Sequence, residues 1–395
     1  MYPLGLLAGT LSLAVWIYLL TAHGGFWKVW RLGAPERPLD SVRGPVAVVI
    51  PARDEAEFIS STVQSLLEQR SVEPLHIFVV DDHSSDRTAE SALRAADDIN
   101  HAAWVSVISG RELPSGWTGK LWAMRQGIDA AMKLDPMYLL LTDADIRHSP
   151  DNVATLAGIA EAGNYDLVSF MVKLQCNSIA ERLLIPPFVF FFFLLYPPAW
   201  IRDPRRSMAG AAGGCMLIRP EALCTAGGIA AIRNQIIDDC AMAKAVKQSG
   251  GRVWLGVSAD TSSQRAYGSF AEIEKMIART AFNQLQHSGP LLAGAIVGLV
   301  ITYLLPVALI LTTNRWLIIL GACSWMLMAM AYAPMVRFYG LNLLWALTLP
   351  FSAFFYMTAT VHSALKFWAG RGGEWKGRAQ DLTSTKHADP PTGEQ

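Results

Sequence analysis

Residues 76–86 read HIFVVDDHSSD, an apolar run typical of a buried strand that leads directly into acidic and hydroxyl side chains. The same order occurs at residues 46–55, VAVVIPARDE, and at residues 138–145, YLLLTDAD. Apolar residues recur at helical spacing at 55–69, where Asp54 is expected to cap the helix, and at 121–133. Strands that alternate with helices predict βαβ units, so the sequence indicates an α/β fold with a mostly parallel sheet and helices on both faces.

The polar residues that follow these runs are expected to share one site. In an open parallel sheet, ligands bind in the crevice outside the carboxyl ends of the strands. The polar groups are residues 51–55, residues 81–86 and Asp143-Ala144-Asp145. A single acidic residue at a strand end is more often a helix cap or a turn residue. The convergence of three such groups is what favours a binding site.

The residue types at this site favour a cation and a phosphate ligand. No GxGxxG follows the first strand and no GxxxxGK[ST] is present, so neither a dinucleotide fold nor a P-loop is supported. Two carboxylates spaced as in Asp143-x-Asp145 suit Mg²⁺ or Mn²⁺. Such cations keep waters and share substrate phosphates, so the sequence predicts a nucleotide-diphosphate ligand.

The charged residues of the chain are unevenly distributed. Of 395 residues, 52% are hydrophobic and only 17% are charged, and residues 1–27 contain no Asp, Glu, Lys or Arg. Residues 290–365 contain two charged residues, Arg315 and Arg337. This pattern excludes a fully soluble protein and a disordered chain, and predicts a soluble domain between membrane-embedded ends. The net charge of zero gives no indication of a nucleic-acid partner.

The expected side of the membrane follows from the basic residues. Lys28, Arg31, Arg37 and Arg43 follow the first apolar run, so the positive-inside rule predicts an external N-terminus and a cytoplasmic soluble domain. Five cysteines without a CxxC pair fit a reducing cytoplasm. About three helices are expected at the C-terminal end. Three crossings would put the tail outside, whereas its basic residues favour the inside, so the span count stays open.

The predicted organisation has one further apolar segment inside the soluble domain. Residues 183–201 carry no charge and contain four prolines, which favours an interfacial or re-entrant element over a buried core segment. The predicted units are an N-terminal anchor at 1–27, a linker at 28–45, the soluble domain at 46–289, transmembrane helices at 290–365 and a disordered tail at 366–395.

Several short motifs together resemble family 2 glycosyltransferases. Residues 80–86, VDDHSSD, look like the family's VDDGSxD, and Asp143-Ala144-Asp145 looks like its DxD motif. Residues 116–123, GWTGKLWA, are similar to its GK segment, and Asp238-Asp239 to its ED motif. The resemblance covers about residues 46–285. With the apolar ends, the chain looks most like the hopene-associated glycosyltransferases of bacterial hopanoid gene clusters.

The chain departs from the family pattern at three places. His83 stands where the family usually has Gly, and Asp238 stands where it has Glu. The QxxRW motif of processive members is reduced to Arg279. The loss of the Gln and Trp argues against processive polymer synthesis.

The resemblance implies a GT-A fold and roles for particular residues. An inverting enzyme of this type needs a base for the acceptor hydroxyl and a cation, Mg²⁺ or Mn²⁺, for the leaving group. The implied base is Asp239, with Asp238 as the next residue to consider, and the implied metal ligands are Asp145 and Asp143. The implied donor-binding residues are Pro51, Ala52, Arg53, Glu55, Asp81, Asp82, Lys120, Asp143 and Arg279.

Each of these roles has a simpler structural alternative. Asp238 or Asp239 could be only the N-cap of a helix over 240–249, and Lys120 could be a solvated helix residue. Arg279 lies on the polar side of an amphipathic segment, residues 271–288, which is expected to lie along the membrane surface, so it could instead contact lipid headgroups. The glycine-rich residues 210–214 are either a plain turn or backbone room for an acceptor.

The expected function is a membrane-bound inverting transferase that moves a sugar from a nucleotide-diphosphate donor to a lipid acceptor. By analogy the donor is a UDP-sugar and the acceptor a hopanoid, in the bacterial cytoplasmic membrane. Two alternatives are a polyprenyl-phosphate sugar transferase and a catalytically inactive membrane scaffold or transport protein. Against the last, both DxD aspartates and the implied base are present, and residues 290–365 contain no Asp, Glu or Lys for a transport pathway.

Overall fold

The computed structural model of the chain describes residues 2–33, 39–98 and 101–369, and the residue pairs 374–375 and 378–379. Its main feature is one eight-stranded sheet. The strands are β1 (Val46–Ala52), β2 (Leu75–Asp81), β3 (Val105–Ser109), β4 (Tyr138–Thr142), β5 (Ile146–Arg147), β6 (Leu167–Lys173), β7 (Cys215–Ile218) and β8 (Val253–Ser263). A short ladder joins β9 (Glu374–Trp375) to β10 (Arg378–Ala379).

The sheet is mixed rather than parallel throughout. Its strand order is β3-β2-β1-β4-β7-β6-β8-β5. The strands β1 to β4 pair in parallel, as predicted from the alternating pattern. β7 runs antiparallel between β4 and β6, and β5 runs antiparallel to β8. The prediction of a mostly parallel sheet is therefore confirmed for β1 to β4. It is corrected for β7 and β5, which run antiparallel to their neighbours, and β7 enters the sheet only after the helices α6 and α7.

Helices cover both faces of this sheet and continue into an apolar bundle. They are α1 (Tyr2–Thr21), α2 (Ile59–Leu67), α3 (Thr88–Asp97), α4 (Gly119–Ala131), α5 (Asn152–Gly163), α6 (Ile179–Leu195), α7 (Pro198–Arg202), α8 (Pro220–Thr225), α9 (Asp238–Gln248), α10 (Phe270–Ala278), α11 (Ala281–Gln284), α12 (Gly289–Leu299), α13 (Leu305–Ile310), α14 (Arg315–Phe338) and α15 (Leu349–Trp368). One face packs on α2, α3 and α5, the other on α4 and α9.

The core on the α4 side is continuous with the apolar helices. Trp16 of α1, Phe190 of α6 and Tyr332 of α14 belong to the same buried cluster as Leu121 of α4. The indole of Trp16 donates to the carbonyl of Thr302, within the π-helical turn that joins α12 to α13. The apolar helices α1, α6 and α14 therefore share a hydrophobic core with the sheet domain.

The start of α2 differs from the sequence prediction. A helix was expected from Glu55, capped by Asp54, but α2 begins at Ile59 and its N-cap residue is Phe58. Asp54 has φ 51°, and its carboxylate accepts hydrogen bonds from Ser85 in the loop after β2. The expected cap was wrong because the side chain has a partner thirty-one residues away that a local pattern does not show.

The proline-containing segment forms a helix that docks on α15. α6 begins with a capping box between Ser178 and Glu181 and contains Pro186 and Pro187. Because Pro187 has no N–H, the carbonyl of Leu183 lacks its helical donor. The hydroxyl of Ser352 donates to that carbonyl at 2.8 Å. The segment is therefore a helix that packs between other helices. Of the most apolar 18 residues within Ile179–Arg202, 56% are buried.

Among the residues that the structure describes, five helices are long and apolar enough to cross a membrane. They are residues Pro3–Thr21, Ile179–Arg202, Gly289–Ile310, Arg315–Phe338 and Leu343–Trp368. Four of them coincide with the predicted terminal segments, and the last extends three residues past the predicted boundary at Leu365. Of the predicted tail, residues after Trp368 lie outside the described residues except Ala369 and the β9–β10 ladder.

Candidate active site

The loops that follow β1 and β2 are joined by reciprocal hydrogen bonds. The amide of Glu55 donates to the Thr88 hydroxyl at 2.9 Å, and the amide of Ala56 donates to the Asp86 carboxylate at 3.0 Å. Asp81 accepts from the amide of Ser84 at 3.2 Å. His83, at the family's glycine position, has φ 54°, the left-handed region that favours glycine. The His therefore keeps the backbone shape of the motif.

The predicted nucleotide residues of these loops fall into two sets. Pro51 and Glu55 line the main cavity of the protein. Asp82 is fully buried behind it, where its amide donates to the carbonyl of Ala52 and its own carbonyl accepts from Arg53 at 2.6 Å. Ala52, Arg53, Asp81 and Asp82 thus lie beside the cavity without lining it.

The cavity has a volume of about 1310 Å³ and two chemically different ends. One end lies at the carboxyl ends of β1 and β4 and at the starts of α4 and α9. The other end is formed by α10, α11 and the last turn of α15, with Met276, Phe282, Leu365 and Phe367 in its wall. The predicted strand-end site therefore opens towards the apolar helices.

Lys120 connects two of the predicted motifs. It lies in the first turn of α4, which Thr118 caps by accepting from the amide of Leu121 at 3.4 Å. Its ammonium group is 2.9 Å from Asp143 and 3.0 Å from Asp238. Burial alone would lower the pKa of Lys120, but these two carboxylates raise it above its ordinary value, so the group remains a cation. The solvated-helix alternative does not describe this contact.

Asp143 keeps its negative charge because of this contact. Burial acts to raise the pKa of Asp143, but the charges of Lys120 and Arg279 outweigh it and hold the pKa below its usual value. Arg279 follows α10 and lines the same cavity. Arg279 therefore shares a cavity with the DxD motif, and its role in binding the donor stays a prediction.

Asp145 is held by an arginine that the sequence analysis missed. The Nε of Arg265 donates to Asp145 at 2.9 Å, and its Nη2 donates to Glu55 at 2.8 Å. Burial and the nearby charge of Asp143 raise the pKa of Asp145. Arg265 reaches Asp145 because β8, two residues earlier, pairs with β5. That pairing joins segments more than a hundred residues apart, so only the sheet topology shows it.

The DxD carboxylates fit a divalent cation by their chemistry. Within the described ranges, no three His, Cys, Asp or Glu side chains converge as a complete metal site. Mg²⁺ and Mn²⁺ do not require one, because they keep waters and take substrate phosphates as ligands. Asp143 and Asp145 supply the hard oxygen ligands, and the pKa of Asp145 is raised first by burial and then by the charge of Asp143, a charge that a cation would offset.

Asp239 lies in the first turn of α9, which begins two residues earlier than predicted. Its Oδ2 accepts from the amide of Gly213 at 2.8 Å, and its Oδ1 from the amide of Cys240 at 2.7 Å. Burial, followed by the charge of Asp238, raises the pKa of Asp239 to about 6. The N-cap residue of α9 is Ile237, so neither aspartate is merely the cap.

The glycine-rich turn makes room for these groups. A Cβ on Gly213 would lie 3.4 Å from the Asp239 carboxylate and 3.5 Å from the Lys120 ammonium. The segment over 210–214 therefore brings a backbone amide against the carboxylate, which a plain turn would not need. Tyr267, a further wall residue that the sequence analysis missed, is fixed by its amide, which donates to Glu181 at 2.7 Å.

Comparisons with known proteins agree with this geometry. Residues 47–224 match the family described as glycosyl transferase family 2. A mannosyltransferase from Pyrobaculum calidifontis, solved with GDP-Man and Mn²⁺, is similar over 90% of this chain and 99% of its own, with 19% identity and a TM-score of 0.53. This likeness shows a shared fold.

Two further solved structures are more distant. Glucosyl-3-phosphoglycerate synthase from Mycobacterium tuberculosis has 19% identity over 62% of this chain and 80% of its own, with a TM-score of 0.40. Mannosyl-3-phosphoglycerate synthase from Rubrobacter xylanophilus has 16% identity over 68% and 81%, with a TM-score of 0.37. No curated protein matches the sequence. The predicted enzyme class, a glycosyltransferase, is confirmed: residues 47–224 match the family 2 model, and the mixed sheet is GT-A-like.

Proposed function

We propose that this protein is a membrane-bound inverting glycosyltransferase that moves a sugar from a nucleotide-diphosphate donor to a lipid acceptor, by resemblance a hopanoid. The observation that carries the proposal is that one continuous cavity has two chemically different ends. It holds Asp145 and Asp239 at one end and Phe282 and Phe367 among apolar helices at the other. A soluble acceptor would need no such apolar end.

The donor would bind at the carboxyl ends of β1, β2 and β4. Pro51 and Glu55 line the cavity and would face the base and ribose, with Asp82 and Ala52 supporting them from behind, and Lys120 and Arg279 would face the diphosphate. A cation held by Asp145 and Asp143 would offset charge on the departing diphosphate. The Pyrobaculum structure contains GDP-Man and Mn²⁺, which supports a nucleotide-sugar donor and Mn²⁺ or Mg²⁺. Uridine is favoured by analogy alone.

Asp239 is the proposed base, for two reasons of geometry and charge. Asp238 is ion-paired to Lys120 at 3.0 Å, whereas each oxygen of Asp239 accepts only one amide N–H and keeps a lone pair. A base works best when its pKa lies near the operating pH. The pKa of about 6 leaves Asp239 ionised at neutral pH yet able to accept a proton from an acceptor hydroxyl.

The apolar end of the cavity leaves room for a second acceptor class. Lys275 of α10 and Lys366 of α15 also line it, and neither takes part in an ion pair within the described ranges. Free ammonium groups beside apolar walls favour a lipid that carries a phosphate. A polyprenyl phosphate is therefore the second candidate acceptor, and a neutral hopanoid would leave both charges unmatched.

The proposed location is the bacterial cytoplasmic membrane, with the catalytic domain in the cytoplasm. For α6 we propose an element that enters the membrane region without crossing it. Asp143 precedes α6 and Asp238 follows it, yet both contact Lys120. Lys247 of α9 donates to the carbonyls of Ile201 and Met208, at 2.5 and 2.8 Å, which supports a position of α7 beside the soluble domain.

Thiol labelling tests this topology in cells. Ser178 and Ser207 flank α6 and α7 and would be changed singly to Cys after removal of the five native cysteines. Both sites should be protected from an impermeant reagent added outside the cell. Labelling of the Ser207 site alone would mean that the segment crosses.

Activity is tested with the full chain reconstituted in lipid vesicles. UDP- and GDP-sugars would be supplied with Mn²⁺ and either a hydroxylated hopanoid or a polyprenyl phosphate, and products identified by mass spectrometry. A glycosylated hopanoid is the expected product. Product from polyprenyl phosphate alone would favour the second acceptor, and donor turnover only onto soluble sugars would contradict the lipid proposal.

A further inference from the structure

Arg265 occupies the position between two carboxylates of the site, Asp145 and Glu55. Its Nε donates to Oδ2 of Asp145 at 2.9 Å, and its Nη2 donates to both oxygens of Glu55, at 2.8 and 2.5 Å. The two acids are well buried, with side-chain exposures of 14% and 11%. The guanidinium group thus neutralises the acid that is proposed as the principal metal ligand.

The position of Arg265 is fixed by its surroundings. The amide of the preceding residue, Gln264, donates to the carbonyl of Asp145 at 2.8 Å. The guanidinium group lies over the ring of Phe58, 5.0 Å from its centre. A planar guanidinium group presents separate N–H donors in a fixed fork, so its Nε and Nη2 can each hold a different carboxylate. The contact is therefore built into the fold rather than being a chance surface pair.

This contact has a consequence for cation binding. Oδ2 of Asp145 accepts from the Nε of Arg265 at 2.9 Å and from the hydroxyl of Ser263 at 3.4 Å, so a divalent cation that binds this oxygen competes with the guanidinium group for it. The displaced guanidinium group would then lose one of its two anionic partners. An incoming diphosphate can replace that partner, because arginine binds phosphate oxygens as well as it binds carboxylates. Cation binding without a diphosphate has no such compensation.

We propose that Arg265 is a tethered counter-ion that keeps divalent cations off Asp145 until a nucleotide diphosphate binds. The inference rests on the proposed function. Arg265 keeps Glu55 through Nη2 while its Nε moves from Asp145 to a diphosphate oxygen. It is a positioning residue, acting through Asp145 and the donor. The affinities for cation and nucleotide are consequently coupled, each raising the other by the same factor.

Mn²⁺ binding to Arg265→Gln tests the proposal without any turnover. The detergent-solubilised full chain is titrated with MnCl₂ alone, and free Mn²⁺ is followed by electron paramagnetic resonance. The variant should bind Mn²⁺ about tenfold more tightly than the wild type, since its competitor is gone, a size within the usual range of such couplings. Its affinity for UDP or GDP in the presence of Mn²⁺, measured by calorimetry, should fall by about the same factor.

The expected rise in Mn²⁺ affinity and fall in nucleotide affinity separate the proposal from a purely structural role of Arg265, because a structural defect would weaken both affinities. Arg219→Gln is the matched control, because Arg219 pairs with Glu161 at 2.9 Å and lies over the ring of Tyr138 at 5.1 Å, away from the cavity. It should change neither affinity. Unchanged or weaker binding of Mn²⁺ alone to Arg265→Gln overturns the proposal.

A second variant covers loss of folding. If Arg265→Gln does not melt cooperatively, Arg265→Lys replaces it; this variant keeps the charge but has one ammonium group in place of the two separate nitrogens that reach Asp145 and Glu55. It should bind Mn²⁺ alone about twofold or more tighter than the wild type, and equal affinity overturns the proposal. Failure of the proposed function is seen separately, as a wild type that binds neither UDP nor GDP with Mn²⁺.

Discussion

Two sets of carboxylates lie at the ends of neighbouring strands and differ in what holds their charge. The loop carboxylates, Asp54, Asp81 and Asp86, accept hydrogen bonds from amides and hydroxyls of the loops themselves. The cavity carboxylates Asp143, Asp145 and Asp238 are instead paired with Lys120 and Arg265. The first set shapes the loops, while the second keeps charges that a ligand can exchange.

The pKa of the loop acid Asp86 is shifted in the opposite direction to that of Asp145 and Asp239 in the cavity, whereas the pKa of Asp143, which is paired with Lys120, is lowered like that of Asp86. Burial acts to raise the pKa of Asp86, but hydrogen bonds from Thr88 and Ala56 hold it below its usual value. Burial and like charges raise the pKa of Asp145 and of Asp239. Hydrogen bonds from its own loop stabilise the charged form of Asp86, as expected for a structural residue. Burial and like charges destabilise the charged forms of Asp145 and Asp239, as is common for residues of active sites.

The largest expected effect is at Asp239. Asp239→Asn should lower kcat by about 10²–10⁴-fold, the usual contribution of a general base, while nucleotide affinity changes by only a few fold. Rates would be measured at saturating donor and acceptor, and affinity by calorimetry. The loop carboxylate variant Asp86→Asn is the control and should keep a near-normal kcat. Near-normal turnover of Asp239→Asn would contradict the base assignment and direct attention to Asp238.

The pH dependence of kcat gives the next largest effect. Because the pKa of Asp239 is raised to about 6, the base is protonated below that pH and ionised above it. We expect kcat to fall about tenfold for each pH unit below 6 and to level off above 7. The residual rate of Asp239→Asn should lack this slope. A wild-type profile that is flat between pH 5 and 7 would argue against Asp239 as the titrating group.

Asp145→Asn should separate binding from stability. Nucleotide affinity in Mn²⁺ should fall about tenfold or more, equivalent to about 1.4 kcal/mol. The reason is that a neutral amide holds the cation that offsets the diphosphate charge less strongly than a carboxylate does. The pKa of Asp145 is raised in the fold, so the carboxyl group contributes stability at low pH that is lost as pH rises through the folded pKa. At pH 7.5 the variant should therefore melt no lower than the wild type. Activity that persists in EDTA would contradict the metal assignment.

The smallest effect is expected at a loop carboxylate and should appear in stability alone. Asp86→Ala removes acceptors for the amides of Ala56 and Thr88, which should lower the free energy of unfolding by about 1–2 kcal/mol. Since the pKa of Asp86 is lowered in the fold, its contribution is present above the unfolded pKa, near 4, and is lost as pH falls through the folded pKa.

The control for this variant is an acid with an exposed partner. Asp129 pairs with Arg125 one helical turn away, at 2.8 Å. Asp129→Ala should cost only about 0.3–0.5 kcal/mol. Both variants should keep kcat within about twofold. A large loss of nucleotide affinity in Asp86→Ala would move Asp86 from the loop set to the ligand-binding set.

Local patterns were sufficient for many elements of the fold. The strands β1, β2 and β4 and the helix α4 lie where hydrophobic periodicity placed them, within two or three residues. The meeting of Glu55 and Asp145 at one edge followed from the rule for strand ends, whereas Lys120 was assigned through the family resemblance. The pair Asp238-Asp239 was found through the family resemblance, because a helix start with two acids is not distinctive by itself.

The sequence by itself determined which segments are strands, helices and apolar spans, and that three polar clusters meet at one edge of a sheet. Those features depend on neighbours in the chain, and periodicity records them. Only the tertiary structure decided that β7 is antiparallel, that Ser352 fastens α6, and that Arg265 rather than solvent faces Asp145. The contacts of Ser352 with α6 and of Arg265 with Asp145 join residues that lie 120 or more positions apart in the chain. No local pattern encodes which distant side chain will satisfy a buried charge or a proline-freed carbonyl.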